Sequence, residues 1–178
     1  MYKFAAAYEN ELIVFGSEKP KYSNKAVNQW IDFMQSQNIK RVCCLLSQIE
    51  LTRYLDLLET YQQKFGLDQV CWAPIEDFQF SDRATLIEKI LPFLMAANKQ
   101  DEKVVVHCAG GVGRTGHVLA AWLVSGRGFS NKDAIAAVKR TGRNPHEAVI
   151  VAMLKGQNPW KVVAQLNSLL DASRQNSF

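Results

Sequence analysis

The stretch HCAGGVGRTG, residues 107–116, carries a cysteine and, six residues on, an arginine, with a glycine-rich turn between them. It follows the apolar run KVVVHC (103–108) and precedes RTGHVLAAWLV, so it links a buried strand to the N-terminus of a buried helix. At such a junction several backbone N–H groups lack partners, and the helix dipole adds partial positive charge. Glycines at 110, 111 and 113 let the chain curl until the amides of Ala109, Gly110, Gly111, Val112, Gly113 and Arg114 converge on one point. The Arg114 guanidinium can add a bidentate fork to the same anion. A tetrahedral oxyanion such as phosphate fits this cradle.

Cys108 lies at its floor. The dipoles and guanidinium that favour phosphate also favour thiolate, and such surroundings move a cysteine pKa from about 8.5 into the range ~3.5–7.5. Cys108 is therefore expected to be an ionised nucleophile aimed at the bound phosphorus. Thr115 can donate its hydroxyl to the sulfur and ease its departure in a second step. His107 is expected to support the loop by hydrogen-bonding its backbone, not to act on substrate. A Walker-type phosphate loop is excluded, because no Gly-Lys-Ser/Thr follows the glycines.

Elements that could hold this loop in place are legible on both sides of it. LIVF (12–15), ended by Gly16, reads as a strand, and Ser23 caps a helix through NKAVNQWIDFMQSQ, with Val27, Trp30, Ile31 and Met34 on one face. RVCCLL (41–46) reads as a second strand. SQIE (47–50) is a capping box that opens a helix running to Gly66. QVCWAPI (69–75) is a third strand, broken by Pro74. Ser81 is expected to cap a helix from about Asp82 to Asn98, which Pro92 kinks or divides. After the glycine loop, one helix ends at Gly126, Ser130 and Asp133 begin another, and Asn144-Pro145 opens a third. The segment PWKVVAQLNSLLDAS forms the last. This order predicts an α/β fold: a central, mainly parallel sheet flanked by helices, with a helical C-terminal part. Residues 1–178 read as a single domain with a polar tail from about 173 to 178.

Composition narrows the class of protein. Hydrophobic residues make up 48% of the 178 and charged ones 21%, the balance of a globular domain with a full core. The net charge of +4 suits anionic ligands, but no basic cluster interleaved with aromatics argues for nucleic acid. No run approaches the ~18 apolar residues of a membrane span, and the N-terminus makes a poor signal peptide. The four cysteines, Cys43, Cys44, Cys71 and Cys108, have neither zinc-site nor disulfide-framework spacing. Free thiols in a reducing cytoplasm are expected, with no membrane partner and no metal.

HCAGGVGRTG resembles the HCxxGxxR[ST]G signature of the cysteine-dependent protein phosphatases and matches every defined position. Size and element order resemble the dual-specificity subgroup, and the tract through HVLAAWLVSGRG to AVKRTGRNPHEAV is similar to its small prokaryotic members. The resemblance is specific from about Val70 to Val149. It implies a fold of that type, no cofactor, and phosphorylated proteins as substrates: phosphotyrosine, with phosphoserine and phosphothreonine also possible substrates. It also implies a general acid on a separate loop, for which PIEDF (74–78) resembles the family's pattern and points to Asp77. Such an acid protonates the leaving oxygen and, as carboxylate, activates water against the phosphocysteine. Glu76 and Asp82 stand nearby as rivals, Asp82 fitting a helix's first turn. A proline that the family often places past the acid is absent from FQFSD.

Other residues carry two readings each. Phe78 and Phe80 form either an apolar wall for an aromatic phosphoester or an anchor for the acid loop. Cys43 and Cys44 pack in a strand, with a protective disulfide to Cys108 as the alternative, and Cys71 is read in the same way. Arg143 and Asn144 border the pocket or make the turn before Pro145. His117 is a helix-surface or core residue, and Trp30, Trp72, Trp122 and Trp160 are core. Three competing functions share the loop: a phosphoinositide phosphatase, an RNA 5′-triphosphatase and a non-enzymatic phosphoprotein-binding module. The phosphoinositide reading lacks the lysines such enzymes usually carry inside the loop, where Ala109, Gly110, Val112 and Gly113 stand instead.

Overall fold

KVVVHC occupies the middle of the sheet, as an unbroken apolar run should. The computed structural model describes residues 2–175. It places this strand, β5 (Lys103–Cys108), between β2 (Val14–Glu18) and β3 (Ile39–Cys44), both parallel to it. Beyond β3 lies β4 (Val70–Trp72), also parallel, and β1 (Ala5–Ala6) closes the opposite edge antiparallel to β2. Register aligns Glu18 and Cys108, and likewise Cys44 and His107, so the strands end together at the edge where the glycine loop begins. In open parallel sheets ligands bind at this carboxyl edge.

Side chains alternate between two cores. Val104, Val106 and Cys108 face one built with α4 (Leu91–Lys99), α5 (Gly113–Arg127), α6 (Asn131–Arg140) and α8 (Pro159–Gln175). Val105 faces the other, with α1 (Asn24–Ser36) and α3 (Leu57–Phe65). The largest fully buried side chains of the two are Trp122 and Trp30, each contributing about 2–3 kcal/mol of apolar burial. Helix α5 is buried along nearly its whole length, which gives the loop before it a fixed base.

Several boundaries differ from the sequence reading. Gly16 does not end its strand but sits inside β2; a Cβ there would meet the Leu119 side chain and the Arg143 guanidinium, each at 2.9 Å, so the glycine permits a close approach. The capping box is present, but α2 (Gln48–Leu51) stops after one turn. The chain then bends through 52–56 before α3 begins, and Tyr54 donates to the Pro20 carbonyl at 2.6 Å within that bend. Asp82, not Ser81, accepts from the first turn, at Thr85 N. The helix it opens is π-helical over Thr85–Ile90 and runs directly into α4, so Pro92 follows a wide turn inside one continuous helix. The left-handed cap of α5 is Gly128, two residues past the expected Gly126. Trp160 is 78% exposed at the start of α8, against the expectation of core. The expected tail is helical through Gln175 with Ser173 fully buried, while 176–178 lie outside the described residues. Among the described residues no helix is long and apolar enough to cross a membrane.

Candidate active site

Strand β5 ends at Cys108 and α5 starts at Gly113, so the whole loop spans 109–112. Gly111 adopts φ +66° and lies so close to β2 that a Cβ would sit 2.5 Å from the Ser17 carbonyl oxygen. Gly113 is pressed by Glu147 of α7 (Glu147–Leu154), whose carboxylate would collide with any Cβ. Gly110 has open space, so the chain itself does not demand glycine there. The amides of 109–114 donate to no other backbone group among the described residues, which leaves them free to converge on an anion. Asn144 N donates to the Val112 carbonyl at 3.3 Å and braces the loop from below.

The sulfur of Cys108 is buried and accepts from the Thr115 hydroxyl at 3.2 Å. His107 points the other way, into the second core. Its ring packs edge-on against Trp30 and Tyr61, with Nε2 at 3.3 Å from the Tyr61 hydroxyl. Burial pushes its pKa down to about 3, so the ring is neutral near pH 7. It thus packs behind the cysteine, with Nε2 turned to Tyr61 rather than to the loop backbone that it was expected to bond.

Arg114 is held more firmly than the sequence reading foresaw. Its side chain is only 2% exposed, and its two terminal nitrogens fork onto Glu50, at 2.6 Å to Oε2 and 2.9 Å to Oε1. Nη1 also donates to the Ile75 carbonyl at 2.9 Å, and Nη2 pairs with Asp77 Oδ1 at 3.1 Å. Burial works against the guanidinium's charge, but the bonds to Glu50 and the charges of Cys108, Glu50 and Asp77 outweigh it and hold the proton more tightly than usual. Glu50 is likewise part-desolvated, yet bonds from Arg114 and Ser47 keep its carboxyl below the ordinary range. Glu50 was missed as a site residue because its capping-box role already explained it. The same Oε2 accepts from Ser47 N at 2.9 Å and from Arg114.

The structure brings Asp77, and neither rival, to Arg114. Asp82 is occupied capping Thr85, and the Glu76 carbonyl accepts from Gln79 N in the tight turn that presents Asp77. The Asp77 side chain is 54% exposed. Phe78 beside it has φ +59° and is 43% exposed, so it stands at the loop's open side. Phe80 is buried and packs edge-on against His117, 5.3 Å between centroids. His117 Nε2 accepts from Ser81 N at 3.1 Å, which ties the end of the acid loop to α5. Burial drives the His117 pKa down to about 4, keeping that acceptor unprotonated. The two phenylalanines therefore divide the alternatives: Phe80 anchors, Phe78 borders the opening.

Arg143 makes the turn rather than the pocket wall: its buried guanidinium donates to Gly16 O at 2.5 Å, Lys3 O at 2.7 Å and Thr141 O at 2.8 Å. Cys43 and Cys71 lie side by side on β3 and β4, and all four cysteines are buried and free. Hydrogen bonding between that pair raises the Cys43 pKa, and burial lifts Cys44 to about 12, so both stay thiols.

A sequence model of the dual specificity phosphatase catalytic domain matches residues 22–154, and the chain belongs to that family. It is 28% identical over 83 residues to protein 123R of Invertebrate iridescent virus 6, which carries a tyrosine-phosphatase name, covering 47% of this chain and 58% of that one. It is 29% identical over 69 residues to dual specificity protein phosphatase 5 of Rattus norvegicus, covering 39% and 18% respectively. The chain thus matches less than two thirds of the length of these relatives. Among solved structures, Tk-PTP in its active form superposes with a TM-score of 0.64 at 25% identity, over 88% of this chain and 92% of that one. PTPMT1 in complex with PI(5)P superposes with a TM-score of 0.70 over 98% and 99%, at 13% identity, a likeness of fold.

Proposed function

We propose that this chain is a protein phosphatase that hydrolyses phosphotyrosine, and phosphoserine or phosphothreonine as well, through a phosphocysteine intermediate and without a metal ion. The observation that carries the reading is the joint placement of Cys108, its Thr115 donor and an Arg114 fixed by Glu50 around one set of free loop amides. Cys108 attacks phosphorus as thiolate, forming the S–P bond as the ester P–O bond breaks. Charge on the three equatorial oxygens meets the amides of Ala109, Gly110, Gly111, Val112, Gly113 and Arg114 and the guanidinium, which is why no cation is required. Phosphate competes for the Arg114 Nη2 proton now directed at Asp77; the released, solvent-exposed carboxylate takes up a proton from solvent and then delivers it to the leaving oxygen. In the second step Asp77 takes a proton from water as it attacks the phosphocysteine, and Thr115 donates to the departing sulfur.

The test is hydrolysis of p-nitrophenyl phosphate and of phosphopeptides in the presence of a chelator. Wild type is expected to turn over both, Cys108→Ser neither. A wild-type protein that binds phosphopeptides but hydrolyses nothing would instead be a recognition module.

A further inference from the structure

The loop itself lacks cations other than Arg114, but the connection from β2 to α1 supplies them beside it. Lys19 N donates to the Ala109 carbonyl at 3.3 Å, which fixes this connection one residue from Cys108. A cavity of about 510 Å³ opens there, lined by Lys19, Lys21, Tyr22, Ala109, Gln29 and Glu18, among others. The Lys19 ammonium is held in place: it sits 3.6 Å over the Tyr22 ring centroid and 3.3 Å from the Tyr54 hydroxyl. Arg53 stacks on Tyr22 at 4.1 Å. None of Lys19, Lys21 and Arg53 has a carboxylate in ion-pair distance among the described residues.

A lysine seated on an aromatic ring with no carboxylate in ion-pair distance, and a second lysine on the same wall of a cavity beside Cys108, make a receptor for an anion on the substrate. We infer that this cavity is a second recognition site, taking the carboxylate of an acidic residue that flanks the phosphorylated residue of a peptide substrate. The inference rests on the phosphatase reading above and deepens it. The charge count selects the occupant. Among the lining residues Lys19 and Lys21 are opposed by Glu18, which leaves a single surplus charge; Arg53 stacks on Tyr22 but does not line the cavity. One carboxylate satisfies that surplus. An inositol ring bearing several phosphates would bring more negative charge than the wall can meet and would face Glu18 directly. Tyr2, on the same lining, gives apolar surface for the stem of a glutamate and the peptide around it.

The experiment compares kcat/KM for two phosphotyrosyl peptides identical but for flanking glutamates or glutamines, at low and high salt. Wild type is expected to prefer the glutamate peptide by about three- to tenfold at low salt, with the preference shrinking as salt rises. Lys19→Ala with Lys21→Ala should bring the ratio to about one, and Lys19→Glu should turn the preference toward lysine-flanked peptides. A ratio within one variant is insensitive to loss of folded protein, which lowers both rates alike. A preference that survives these changes, or none in wild type, overturns the inference while leaving the phosphatase reading intact. A Lys19-dependent hydrolysis of a soluble inositol bisphosphate with no response to peptide charge overturns it too. Failure to hydrolyse either peptide would instead overturn the reading beneath it.

Discussion

The loop that carries Cys108, the proposed nucleophile, and the loop that carries Asp77, the proposed acid, are built in opposite ways. Between β5 and α5 both proposed reacting side chains are buried and fixed: Cys108 by Thr115, Arg114 by Glu50 and the Ile75 carbonyl. The acid loop leaves Asp77 more than half exposed, beside a phenylalanine at positive φ. Its inner ties are the Ile75 carbonyl on Arg114 at one end and Ser81 N on His117 at the other. An electrostatic cradle has to be rigid before the charge develops. An acid has to meet a leaving group and then a water, and a loop anchored to the core at its ends, with one exchangeable ion pair from Asp77 to Arg114 between them, allows both. Changes in the first loop should therefore cost fold and rate together, and changes in the second should cost rate alone.

Asp77→Asn should show the cleanest separation. A rate loss of about 10²–10³ is expected on phosphopeptides, with stability within about 0.5 kcal/mol of wild type. The loss should shrink for a good leaving group such as p-nitrophenolate, and equal losses for both would remove Asp77 as the acid. Glu50→Gln probes the other side. Glutamine can keep the cap on Ser47 N but not the charged fork to Arg114, so kcat/KM should fall about 10- to 100-fold and urea stability should drop as well. Unchanged stability with reduced rate would place Glu50 in the same category as Asp77.

Smaller effects are expected at the anchors. His107 and His117 have pKa values pushed down to about 3 and about 4, against about 6.5 in an unfolded chain. Between those limits the unfolded state binds more protons, so stability is complete above pH 6.5 and is lost as pH falls toward 4. His117→Gln should reduce that slope by up to about one proton in urea titrations, and an unaltered slope would contradict a neutral buried His117. Phe78→Gly should be the mildest change. Relief of the left-handed strain offsets the backbone freedom of glycine, leaving stability within about 1 kcal/mol of wild type.

The same contrast explains what could be read from residues alone. Strand, loop and helix from Lys103 to Arg127 are contiguous, so apolar run, glycines and arginine spacing report their own structure. Ser47 and Glu50 declared a cap three residues apart, but nothing local says that the same carboxylate holds an arginine 64 residues on. The break after α2 was equally silent, because it depends on the Tyr54 hydroxyl reaching the Pro20 carbonyl across the fold. Gly16 looked like a terminator because glycine's use for close approach depends on Leu119 and Arg143, elements far along the chain. Trp160 failed for a different reason: periodicity marks an apolar face but not whether another element covers it.

The most direct test of the central claim is to quench the Asp77→Asn protein during turnover of p-nitrophenyl phosphate, whose leaving group departs without an acid, and find the phosphate by mass spectrometry. Slowed hydrolysis of the intermediate should leave phosphate on the peptide containing Cys108, and Cys108→Ser should leave none. Phosphate on any other residue, or turnover with no covalent phosphate at all, would contradict the account.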